Sequence, residues 1–177
     1  AGLVGATITL VTVEKFSEAM DKFIAGECDI VTTDGSALVG RRAVNDALND
    51  WSIFPTSPIS KEPLGPVYRS NDSKWGDVIN WVVYATIIAD EYGVTSANVD
   101  SVDTDALPEL GRLFGANDGE LQSVMGLDKK AFYNVIKQIG NYDEIYSRNL
   151  NPVGLFREGG ANDRWTNGGL IYAPPAR

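Results

Sequence analysis

Histidine is absent from this 177-residue chain. That removes the commonest general base, the commonest metal ligand and every serine–histidine or cysteine–histidine dyad. Cysteine is nearly absent too, with Cys28 standing alone. One cysteine excludes an intramolecular disulfide and a clustered thiolate metal site. Positive charge is scarce: 15 basic residues face 24 acidic ones, for a formal net charge of -9. Such a field repels a phosphate backbone, so nucleic acid is not an expected partner. Long apolar runs are missing as well. The longest, "VINWVVYATIIA" at 78–89, is too short to span a bilayer and contains Asn80 and Thr86. It reads as a buried amphipathic helix. The opening "AGLVGA" has no basic leader and no long apolar stretch, so no signal peptide is expected there.

What is present suits a globular chain. Hydrophobic residues make up 44%, enough for a core. The length fits one ordinary domain or two small lobes. "ATITLVTV" at 6–13 is rich in β-branched residues and predicts a strand. In the next stretch Phe16, Ala19, Met20, Phe23 and Ile24 fall at helical spacing, and Gly26 is a stop. Residues 28–33 predict a second strand. Strand–helix–strand order favours a parallel pair with a right-handed crossover. A helix over 37–47, with Arg41 and Arg42 on its wet side, and a short strand over 51–55 complete this part.

Pro58, Pro63 and Pro66 then break the pattern. Prolines lack the ladder donor, so 57–69 reads as an extended linker or edge strand between two lobes. From Ser73 onward the pattern is helical. A long helix is expected from Trp75 to near Gly93. Shorter ones are expected over 107–114 and 120–125, around Phe132 to Ile139, and around Tyr142 to Tyr146. The tail is loop-like, with a turn at Asn167–Gly169. Only three strands emerge, fewer than a parallel sheet normally holds. Either strands escape the pattern, or the sheet is completed by more chain or by a partner.

Asp34 is the leading candidate for a site. It lies where the second strand stops and a helix begins, and ligands bind outside the carboxyl ends of parallel strands. A carboxylate there can grip an ammonium. Thr33 and Ser36 add hydroxyls. The competing reading is an N-cap, and spacing alone favours the cap. An aspartyl-phosphate nucleophile would need a second carboxylate for Mg²⁺, and "TTDGS" has none. Trp75 and Trp81 read as core aromatics. The Arg41–Arg42 pair reads as a solvated helix face. The aspartates of "DSVDTDALPEL", 100–110, lack the turn glycine and terminal glutamate of a calcium loop and read as a capped helix start. There is no glycine-rich phosphate loop. The chain is read as non-enzymatic, with no cofactor and no metal.

Four separated stretches carry a family resemblance: "GECDIVTTDGSAL", "ISKEPLGPVYRSNDSKWGDVINWVVYATIIADEYGVTSANVD", "VIKQIGNYDEIYSRNL" and "WTNGGLIYAPPAR". In that order they resemble the general L-amino-acid-binding proteins of bacterial ABC transporters, which are type II periplasmic binding proteins. The resemblance implies an α/β fold of two lobes joined by hinge strands, here without its N-terminal half. Residues 1–56 would be the last part of lobe 2, 57–70 a hinge strand, and 71–177 the C-terminal, mostly helical part of lobe 1. It implies capture of an L-amino acid in the cleft, delivery to a membrane permease, and a periplasmic location. Asp34 matches the family's aspartate for the ligand ammonium, and Thr33 a position facing the ligand side chain. Arg41, Arg42 and Arg69 do not match the family's carboxylate-binding arginine, which belongs to the other half. A partner chain supplying that half, or a homo-oligomer, is the expected complement. The alternative is a non-catalytic structural or interaction fragment that oligomerises through an open sheet edge.

Overall fold

The computed structural model describes residues 5, 7–48, 50–55 and 59–176. They fall into two compact units, 1–62 and 63–177, and the division lies inside the proline-rich stretch.

Unit one carries two helices, α1 (Phe16–Ile24) and α2 (Gly35–Asn45). Helix α1 buries Met20, and Gly26, at φ 74, turns the chain out of it. Helix α2 buries Val39 and starts two residues earlier than its apolar pattern suggests. Phe23 meets Trp51 edge-on, with centroids 5.0 Å apart. The predicted strands are the main correction. Residues 7–13, 28–33 and 51–55 are free of helix and mostly featureless, and among the described residues they form no β-ladder. Ala6, the start of the first predicted strand, lies outside the described residues, as do residues 57 and 58 of the predicted hinge strand. The physical reason is that a strand exists only through a neighbour's hydrogen bonds. β-Branched composition supplies the tendency but not the partner.

Unit two is a helical assembly built on α3 (Ser73–Glu91). Asp72 caps it, accepting a hydrogen bond from the Trp75 amide at 3.1 Å. Its last turn closes through Gly93, at φ 65, with the Val94 amide donating to the Ala89 carbonyl at 2.7 Å. That is a Schellman end, and it delivers Val94 into the core. Short α4 (Pro108–Leu113) and α5 (Leu121–Val124) follow, then α6 (Ala131–Ile139) and α7 (Tyr142–Leu150). Both α6 and α7 pack on α3. Ala85, Ile88, Ala89, Leu110, Leu113, Phe132 and Ile136 form the centre of the core.

Between α6 and α7 the chain reverses at Gly140, φ 97, where a Cβ would strike the Glu144 side chain. Asn141 and Glu144 then make a reciprocal capping box. The C-terminal tail is pinned rather than loose. Glu109 accepts from the Ala176 amide at 2.7 Å, and Arg112 donates to the Ala176 carbonyl at 3.2 Å. Among the described residues, no helix is long and apolar enough to cross a membrane. The 78–89 run lies instead within α3, with its later half buried.

Candidate functional site

Asp34 occupies the N-cap position of α2, with extended backbone at φ -54 and ψ 138. Its carbonyl accepts the Leu38 amide at 3.0 Å and so begins the helix. Its carboxylate accepts no capping hydrogen bond from the α2 amides. Cap by position is therefore not cap by chemistry, and the spacing argument for a capping side chain fails here. Asp34 and Thr33 are both half-buried, while Gly35 and Ser36 are exposed. Half-burial raises the cost of a bare carboxylate and the strength of any charge-assisted bond it makes.

The nearby cations serve other ends. Arg41 lies over the Phe16 ring at 5.7 Å, a cation–π contact on the surface of unit one. The aspartates at 100–110 are also committed. Asp100 accepts from Tyr133 and from Lys137. Asp103 accepts from the amides of Asp105 and Ala106, so it closes a turn; α4 itself begins at Pro108 with no side-chain cap. Among the described residues there is no cluster of three or more potential metal ligands. Trp81 packs against the core as expected, in edge contact with Tyr84. Trp75 does not. It sits in the first turn of α3, ahead of the buried stretch, and is exposed.

A polar cluster in unit two was not legible in the sequence. Arg157 and Asp90 are each about 5% exposed and pair at 2.6 Å. Arg157 also reaches Asp143 at 3.2 Å and the Asn162 carbonyl at 2.6 Å, and its guanidinium faces the Tyr142 ring at 4.8 Å. Arg164 donates to the Asp90 carbonyl at 3.1 Å. Burial pushes the Asp90 carboxyl up, and the Arg157 hydrogen bond and charge offset only part of that. Asp163 gathers the amides of Gly159 and Arg164 and the Asn167 side chain, and these bonds hold its carboxyl below the usual range. A cavity of about 240 Å³ is lined by Asp143, Arg157, Glu158, Asp163, Arg164 and Asn167. Its charges are largely spent on one another, so the cluster braces the tail against α3 and α7. The one sequence signal was an aspartate closing an apolar helical run at "TIIAD".

No family model matches the chain. Curated proteins do. The glutamate/glutamine/aspartate/asparagine-binding protein BztA of Rhodobacter capsulatus is 43% identical over 97% of this chain and 51% of its own length. The general L-amino acid-binding periplasmic protein AapJ of Rhizobium johnstonii is 40% identical over 94% of this chain and 49% of its own. This chain is homologous to about half of an amino-acid ABC transporter-binding protein. A solved structure agrees: an ABC transporter/periplasmic binding protein from Brucella ovis, with glutathione bound, matches at TM-score 0.84 and 40% identity. It covers 94% of this chain and 52% of that one. The fold is thus that of part of a periplasmic binding protein. The chain spans about half the length of the curated relatives it matches.

Proposed function

We propose that this chain is the C-terminal portion of a non-catalytic solute-binding component of an amino-acid ABC importer. It works in the periplasm, capturing L-amino acids in a cleft between two α/β lobes and passing them to a membrane permease. In this reading residues 1–56 belong to lobe 2, 57–70 to the hinge and 71–177 to lobe 1. The observation that carries the proposal is the 43% identity, across 97% of the chain, to a protein named for binding glutamate, glutamine, aspartate and asparagine. Support from geometry is the half-buried Asp34 carboxylate that takes no cap from α2. It is suited to an α-ammonium, with Thr33 beside it toward the ligand side chain. The lobes would close about the hinge to bury the ligand. The alternative, an interaction fragment that oligomerises through an open edge, is not favoured, because the matched proteins are transporter-binding proteins.

The test is calorimetry on a chimera joining this chain to the unmatched half of BztA, titrated with a panel of L-amino acids. Binding should be present and should weaken about 10- to 100-fold in Asp34→Ala, the worth of a charge-assisted hydrogen bond. Affinity unchanged by Asp34→Ala would reject the site. No binding across the panel would reject the function.

A further inference from the structure

We infer that unit one carries an interface for the complementary half of a homologous binding-protein chain, formed by the outward side chains of its extended segments. Each segment divides its apolar residues. Val31, Trp51 and Ile53 are half-buried, and Phe23 covers Trp51. Ile8, Leu10, Ile30 and Phe54 are instead 66%, 78%, 65% and 67% exposed. Among the described residues of unit one, the buried apolar side chains are Met20 and Val39. Unit two, by contrast, closes a contiguous core on its own. The backbone of 7–13 and 28–33 makes no ladder among the described residues. Unpaired backbone donors beside bare β-branched side chains are what an added strand or a covering layer satisfies. Sheets of parallel strands need both faces covered.

The occupant follows from length and charge. The relatives and the solved structure are about twice as long as the matched part, so each carries a further half against the same fold. A second copy is a poorer occupant, because it would bring its own net charge of -9 against -9. The inference rests on the same half-length match as the proposed function, but its readout needs no amino acid. Complex formation without ligand binding would therefore fail the function alone.

Hydrogen exchange and sedimentation test it, with this chain alone, mixed with the unmatched half of BztA, and fused to that half. Alone, the chain should be a monomer whose α3 and α6 amides are protected while 7–13 and 28–33 exchange at the first time point. With the partner it should form a one-to-one complex in which those segments slow by about tenfold or more, as ladder formation requires. The variant Leu10→Lys/Ile30→Lys should keep α3 and α6 protected and lose the complex. Segments already protected in the monomer would overturn the inference. So would protection gained in a homodimer, or segments left unprotected in the fused chain.

Discussion

Arg157 Nη1 lies 2.6 Å from Asp90 Oδ2, with both side chains almost wholly out of solvent. One charge comes from the end of α3 and the other from the tail, so the pair ties two distant parts of unit two together. A buried pair of this kind contributes little net stability, but breaking it leaves a charge without a counterpart.

Arg157→Met should therefore destabilise unit two by about 3–5 kcal/mol. The loss should shrink as pH falls through the raised Asp90 pKa. A group whose folded pKa is raised is favoured by the fold in its protonated form, and the neutral carboxyl needs no cation. Arg157→Met/Asp90→Leu should recover most of the loss. Urea melts at neutral and acid pH check this. A pH-independent loss in the single variant would contradict it.

Glu144 accepts from the Ser96 hydroxyl at 2.6 Å, from the Ser96 amide at 3.0 Å and from the Asn141 amide at 2.8 Å. Burial pushes its carboxyl up, but these bonds outweigh burial and the net position is below the ordinary 4.5. The stability it brings is present above that unfolded value and is lost as pH falls through the lower folded one. Glu144→Ala should cost about 1–3 kcal/mol at neutral pH and flatten this acid limb. Thermal melts of both proteins across the acid range provide the readout.

Gly169 sits directly on the Asp163 backbone, and a Cβ there would collide with the Asp163 carbonyl. Backbone cannot swing aside as a side chain can. Gly169→Ala should therefore open the tail turn and cost about 1–3 kcal/mol, the usual penalty of overpacking. Asp163 would lose its three donors in the process. Early exchange at the Gly159 and Arg164 amides is the expected signature.

Asp72 and Asp34 sit at equivalent helix positions with different chemistry. Asp72 accepts the Trp75 amide, whereas Asp34 takes no capping bond. Asp72→Ala should cost about 1 kcal/mol. Asp34→Ala should leave the amide exchange of α2 unchanged in the BztA chimera. Fraying of α2 in that variant would show that Asp34 caps after all.

The helices were legible because they are local. Phe132 and Ile136, four residues apart, predicted α6, and both are fully buried. Asn141 with Glu144 marked the start of α7 by a spacing that the capping box uses directly. Trp75 misled, since an aromatic on a helix reads as core wherever along the axis it falls. Asp103 misled too, because a turn and a helix start use the same residue type.

By itself, the sequence determined the helices and their ends, the lack of histidine and thiol chemistry, and the place of Asp34 at a helix start. Each depends on residues within a few positions of one another. Tertiary structure alone decided that the Asp34 carboxylate leaves its own helix uncapped. It also decided that Asp90 meets Arg157 and that 7–13 and 28–33 find no ladder among the described residues. A side-chain direction, a buried ion pair and a strand each depend on groups remote in the chain, and periodicity carries no information about those.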